Sequence, residues 1–187
     1  RWFMMSDSPP ERDVEWTTSG VEAAWRHLQK VWRLSYEIQG KVRIENSNPD
    51  FKPRLNGDYH HDKLLRETHK SINNVSKCLE SFSFNKAVAH LYELTNAISI
   101  SKASTTTRTY SMKILAQLMQ PITPHLSQEI WSLYGFSSFI SCETWPKPVS
   151  EFLSDEDLVY PIQINGKRRT EIIVSKDLNQ REIEERV

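Results

Sequence analysis

Cysteine is nearly missing: Cys78 and Cys142 are the only two in 187 residues, far apart and outside any C-x-x-C pair. That spacing supplies neither a zinc site nor a disulfide framework, and two free thiols suit a reducing cytosol. Glycine is also scarce. Five residues, at positions 20, 40, 57, 135 and 166, cannot form a G-x-G-x-x-G or another phosphate-cradling loop. No apolar run approaches the ~18 residues that cross a bilayer, and no charged-then-apolar leader opens the chain, so no membrane partner is expected. Neither charge sign is in excess, with 24 Lys and Arg against 24 Asp and Glu. Affinity for nucleic acid must then come from local clusters of cations rather than from a global field.

Catalytic groupings are equally thin. The histidines at 27, 60, 61, 69, 90 and 125 form no metal-spaced helix pair. His60-His61, near Asp58 and Asp62, reads as a chance surface pair, because adjacent residues on an extended chain point apart. His125 follows Pro124 at a helix start and reads as packed or capping rather than catalytic. No nucleophile elbow occurs among the serines. Neither a catalytic residue, a metal ligand nor a cofactor site is therefore assigned, and an independent small enzyme is disfavoured.

With 38% hydrophobic and 26% charged residues the chain should fold. It opens on Arg1 and an apolar Trp2-Phe3-Met4-Met5, and it closes in a helix-like stretch, 179–187, without a stop signal. Both ends are expected to cut through ordered elements. Ser19-Gly20-Val21-Glu22 has capping-box spacing and should start a first helix, with Val21, Trp25, Leu28, Trp32 and Ser35 or Tyr36 as its core seam and Gly40 as its end. A long loop over 45–61 precedes a second helix from about Asp62, with Leu65, Thr68, Ile72, Val75 and Leu79 on one face. Asn85 should cap a third, with Val88, Leu91, Thr95 and Ile98 facing the core. The Ser/Thr-rich 101–109 breaks it, and a fourth runs from about Arg108 to Gln120. Thr123-Pro124 restarts a fifth that ends at Gly135.

The fold class expected is mainly α, a bundle of about five helices, followed by a β-hairpin around Asn165-Gly166. For that hairpin a three-residue loop, pairing Tyr160 with Ile172, Ile162 with Thr170 and Ile164 with Arg168, is preferred over a two-residue loop. The two-residue alternative sets Ile162 against Arg169 and Ile164 against Lys167.

Two basic clusters are the candidate nucleic-acid contacts. Arg26, Lys30 and Arg33, at i, i+4 and i+7, share one face of the first helix, opposite the Trp seam, where they could follow a phosphate backbone. Glu22 and Glu37, one turn before and after, would partly neutralise them, and an ordinary solvated face is the competing reading. Lys167, Arg168 and Arg169 at the hairpin tip form a denser cluster, which could equally keep a sheet edge soluble. Trp25, Trp32, Trp131 and Phe84 fall on expected core positions rather than serving as base-stacking platforms.

Several segments together resemble leucyl-tRNA synthetase of the bacterial type. Arg1 through Trp16 is similar to the stretch after that family's lysine-rich signature loop, leading into Ser19-Gly20-Val21-Glu22. Phe84-Asn85-Lys86-Ala87-Val88 and the run from Gln120 to Trp131 resemble positions shared by class I synthetases for leucine, isoleucine and valine. Ile164 through Arg169 resembles the hairpin that opens a small C-terminal domain, although Arg168 and Thr170 stand where the family usually has an apolar and a small residue.

The resemblance implies a connecting segment at 1–18, a helical anticodon-binding domain at 19–148, and a linker with the start of a truncated α+β domain at 149–187. It implies the tRNA-binding portion of a cytoplasmic leucine–tRNA ligase, expected to be monomeric. Its partners would be leucine tRNA and the rest of the synthetase chain, not DNA. The HIGH and KMSKS-type signatures that hold ATP, with magnesium, are absent from these residues, so that chemistry is implied for the intact enzyme only. Valyl- and isoleucyl-tRNA synthetases, or a helical protein-interaction module, are the alternatives.

Overall fold

The computed structural model describes residues 1–45, 51–153, 157–164 and 167–175; for 42–45 and for the last two ranges it describes the backbone alone. The chain forms two compact units, Arg1–Val149 and Ser150–Val187. In the first, a short helix α1 (Trp2–Ser6) precedes α2 (Thr18–Glu45), α3 (Tyr59–Glu80), α4 (Phe84–Ile100), α5 (Thr105–Met119) and α6 (Pro124–Leu133), after which a 3-10 turn spans Ile140–Cys142. The protein is mainly α. No helix among the described residues is long and apolar enough to cross a membrane.

The centre of the bundle is α5, which packs against α2, α3, α4 and α6. Its sequence makes that position possible. Met112, Ile114, Leu115, Ala116, Leu118 and Met119 are all buried, so apolar residues surround the axis instead of forming one stripe. Polar residues of its N-terminal half are buried too, and most find partners. Thr107 Oγ1 lies 2.7 Å from His61 Nδ1 and 2.8 Å from Ser104 Oγ, Ser111 Oγ lies 2.8 Å from Thr68 Oγ1, and Arg108 Nε donates to Ile98 O at 3.3 Å. The Ser/Thr-rich 101–109, expected to be a break, is only partly one. Ser104 accepts from Thr107 N–H at 3.3 Å and caps α5, whose first turn is Thr105 to Thr107.

The outer helices present faces that periodicity exposes. Leu65, Thr68, Ile72 and Val75 of α3 and Val88, Leu91, Thr95 and Ile98 of α4 are buried as expected. Their starts lie slightly earlier than expected, at Tyr59 and Phe84, because Asp58 accepts from His61 N–H at 2.7 Å and Ser83, not Asn85, is the cap residue. Asp62 instead holds the preceding loop, accepting from the N–H groups of Asn56 and Gly57, both at 2.9 Å. Between α3 and α4, Phe82 takes φ 54° and Ser83 N–H donates to Cys78 O at 2.8 Å, a Schellman turn with phenylalanine where glycine is usual. Pro124 occupies the first turn of α6, and Gly135, at φ 90°, follows its end.

The first long helix departs most from expectation. Its cap is Thr17, whose Oγ1 accepts from Gly20 N–H at 3.2 Å, so the Ser19–Glu22 capping box does not form. Gly40 does not end it, since α2 continues to Glu45. Its buried line is Ala24, His27, Val31, Leu34, Ser35 and Ile38, and Trp25, Trp32 and Tyr36 are exposed. Two apolar stripes compete on this helix. The one built from smaller residues at 24, 31 and 38 matches the groove left by α5 and α6, and the bulkier aromatic one is left outside.

Residues 1–18 belong to the same unit. Trp2 and Phe3 are buried, and the Trp2 indole N–H donates to Tyr92 Oη at 3.1 Å. The Trp2 ring stacks on His27 at 4.9 Å, and the Tyr92 ring lies 3.9 Å from the same imidazole, centroid to centroid. Any Cβ on Gly20 would overlap the Phe3 ring and approach Thr17 Oγ1 to 2.8 Å. Farther along, Val149 N–H donates to His69 Nδ1 at 3.3 Å while His69 Nε2 lies 3.2 Å from Tyr110 Oη.

The second unit has a 3-10 turn at Ser150–Phe152 and two antiparallel strands, β1 (Asp157–Ile164) and β2 (Lys167–Ser175). Tyr160 pairs with Ile172 and Ile162 with Thr170. Nearer the turn Gln163 pairs with Arg168 and Ile164 with Lys167, not with Arg168 as expected. The extra residue, Arg169, is taken up as a bulge inside β2 rather than in the loop. Asn165 and Gly166 lie outside the described residues.

Two glycines of α2 should respond in opposite ways to the same change. Gly20→Ala should lower the melting temperature, because the clash with Phe3 costs roughly 1–3 kcal/mol. Gly40→Ala, with nothing within 4 Å of the new methyl, should raise it by the helix-propensity gain of about 1 kcal/mol. Equal effects of the two in a thermal melt would refute the packing described.

Burial holds His27 and His69 down at about 4, with the Lys30 charge a second cause at His27. Both fold as neutral rings, and between pH 4 and 6.5 the unfolded chain binds more protons. Their stabilisation is therefore complete above pH 6.5 and is lost as pH falls toward 4, by roughly 2 kcal/mol per histidine between pH 7 and 5. Urea midpoints that stay level from pH 7 to 5 would contradict this.

Candidate nucleic-acid interface

The candidate surface is the outer face of α2. A helix advances about 100° per residue, so Arg26, Lys30 and Arg33 fall within roughly 60° of one another on the side away from the buried line. Arg26 and Arg33 are exposed and Lys30 is half-buried. They differ in how freely they could meet a phosphate. Lys30 Nζ donates to Asn96 Oδ1 of α4 at 2.7 Å and is tied back to the bundle. Arg26 has Glu22 at 3.8 Å, an exposed i, i+4 pair of little strength. Arg33 has no ion pair among the described residues. The expected neutraliser, Glu37, contacts Lys41 at 3.0 Å and Arg108 at 3.8 Å instead.

The aromatic residues do not lie opposite these cations, as expected, but beside them. Trp25 projects roughly 80° from Arg33 around the helix. Trp25 is 61% exposed, Trp32 37% and Tyr36 60%. With Leu28, Gln29, Arg33 and Leu126, the two tryptophans line a groove of about 440 Å³. Of the aromatics expected in the core, Trp131 is buried at 6% exposure and stacks on Phe136 at 4.1 Å, and Phe84 is half-buried against Phe82. Sequence periodicity missed the groove because bulk hydrophobicity favoured the tryptophans; the signal that could have found it is the rival line at 24, 27, 31, 34 and 38.

The second cluster begins β2, where Lys167 and Arg169 have described backbone, but their side chains lie outside the described residues, as do those of Arg168 and the turn.

The remaining polar groups serve structure. His61 is buried, not a surface residue as expected, and joins Thr107 to the Arg54 carbonyl, which lies 2.8 Å from its Nε2. His60 is exposed. His125 is exposed, not packed, beside Arg1 at a shallow cavity of about 340 Å³. Cys78 and Cys142 are free thiols. Among the described residues no three His, Cys, Asp or Glu side chains gather as metal ligands do. Burial pushes the Tyr110 phenol up to about 12 and also raises Tyr134, so neither is an acid or base near neutrality.

Residues 61–185 match the family model described as the anticodon-binding domain of tRNA ligase. The whole chain is 46% identical to a leucine–tRNA ligase of Jannaschia sp. and to one of Cereibacter sphaeroides, and 98% of it is 44% identical to that of Ruegeria pomeroyi. It spans about a fifth of the length of these relatives, 20–21%. Among solved structures, a ternary LeuRS–tRNA–LeuAMS complex from Agrobacterium radiobacter covers the entire chain at a TM-score of 0.80 and 27% identity, over 24% of its own length. The chain therefore belongs to the anticodon-binding domain family of tRNA ligases.

Proposed function

We propose that this chain is the tRNA-binding portion of a leucine–tRNA ligase, acting in the cytoplasm, with leucine tRNA and the rest of the ligase chain as its partners. The observation that carries this reading is likeness to leucine-specific relatives along the whole chain, from Arg1 onward, in sequence and in fold. The outer face of α2 supports it: exposed Arg26 and Arg33 form a local cationic stripe on a chain with no net charge. Recognition of this kind rests on phosphate contact and shape, as is usual for structured RNA.

Within that reading, Arg33 is the strongest phosphate contact of the stripe, Arg26 the next, and Lys30 contributes least because Asn96 holds it. The strands of the second unit open a small α+β domain whose Lys167 and Arg169 add phosphate contacts of their own. The ATP and magnesium used to activate leucine are assigned to no residue of this chain, and the ligase acts as a monomer.

The test is a titration of the intact ligase with leucine tRNA at two salt concentrations. Affinity should fall as salt rises, and Arg33→Gln should weaken binding several-fold while reducing the log–log salt slope by about one. Lys30→Gln should change either quantity less. Binding indifferent to salt, or equal affinity for leucine and valine tRNA, would sink the proposal.

A further inference from the structure

We propose that the groove on α2 between Trp25 and Trp32 receives an unpaired nucleotide of the bound tRNA, the indoles packing on its base and Arg33 meeting its phosphate. This rests on the tRNA-binding reading above and specifies what that surface holds.

Three observations carry it. First, Trp2 and Trp131 are buried, the Trp145 indole N–H donates to Ser76 Oγ at 2.8 Å, and Trp16, although 69% exposed, stands alone against Phe3 at 5.6 Å rather than lining a groove with a second indole. Trp25 and Trp32 stand two turns, about 10 Å, apart on one face with their rings open to solvent. An exposed indole offers a π-face that stacks on any base. Second, among the described residues the only charged one lining the groove is Arg33. The nearest carboxylates of the helix are turned elsewhere, Glu22 toward Arg26 and Glu37 toward Lys41 and Arg108. An aromatic cleft with one cation at its rim, unpaired among the described residues, complements a nucleotide, which pairs an apolar ring with an anion. Third, a groove of similar size elsewhere on the bundle lacks this chemistry. It is lined by Tyr59, Lys63 and Lys102 but also by Glu67 and Glu93, and Lys63 is drawn over the Tyr59 ring at 5.3 Å.

The experiment uses the intact ligase and leucine tRNA. Trp25→Ala and Trp32→Ala should each weaken binding about tenfold with the salt slope unchanged, since no ion contact is lost. Trp25→Phe should restore most of the affinity, which a merely structural role at an exposed position would not require. Acrylamide quenching supplies a readout independent of any variant: tRNA should shield two solvent-open indoles of the wild-type ligase. If wild-type binding is strong and salt-dependent but both alanine variants bind as wild type, the groove proposal falls and the tRNA-binding reading stands. If the wild-type ligase does not bind leucine tRNA, both fall. Indoles at 25 and 32 already shielded before tRNA is added would also overturn the proposal, because a segment of the ligase itself would then occupy the groove.

Discussion

The arrangement of this bundle follows from one constraint: α5 must be covered on all sides. A helix with Met112, Ile114, Leu115, Ala116, Leu118 and Met119 all buried cannot lie at a surface. Four helices pack around it, each contributing a single apolar face, and this is why α3 and α4 show clean amphipathic periodicity while α5 does not. The hydroxyls and the guanidinium in its N-terminal half are buried by the same geometry, so they need partners from neighbouring helices. Thr107 finds His61, Ser111 finds Thr68, and Arg108 finds the last turn of α4, where the carbonyls and the negative end of the helix dipole suit a cation.

The same constraint decides which side of α2 faces outward. To cover α5, α2 approaches along its smaller residues, at 24, 31, 34 and 38, and those pack with the His27 ring and the Ser35 hydroxyl. The N-terminal segment then closes over one end of this contact. Trp2 stacks on His27, and Phe3 lies where Gly20 has no side chain. With two sides of the helix thus occupied, the remaining arc carries Trp25, Gln29, Trp32, Arg33 and Arg26 together. Juxtaposition of aromatic and cationic groups there is a by-product of how the core is filled.

How much of this could be read from the residues varies with the kind of helix. For α3 and α4 the apolar period names buried positions at all but Leu79, which is half-buried, because one face dominates, although it misses the buried Leu64, His69 and Leu94. It fails at α2, where two stripes lie close together and the tryptophans outweigh the smaller residues that the bundle accommodates. Local signals placed helix starts within a few residues but chose the wrong hydroxyl where several are available, as in Thr17-Thr18-Ser19. Gly40 lies inside α2 because glycine ends a helix only when the chain needs a left-handed residue there, and nothing at that point requires one. Arg26, Lys30 and Arg33 were legible as a stripe from spacing alone. Their unequal availability was not, since Asn96 lies 66 residues from Lys30.

That inequality links the core to the surface. Glu37 sits one turn after Arg33, the spacing at which a helical carboxylate ordinarily pairs with it. Arg108, placed in the interior by α5, draws one Glu37 oxygen to 3.8 Å, and Lys41 holds the same oxygen at 3.0 Å. A buried guanidinium needs a counter-charge far more than an exposed one does, because desolvation removes the water that would otherwise stabilise it. Glu37 is thereby engaged by Arg108 and Lys41, and Arg33 has no carboxylate partner among the described residues. On a chain whose charges cancel overall, cationic character at this face arises from where the carboxylates are held rather than from any surplus of arginine and lysine.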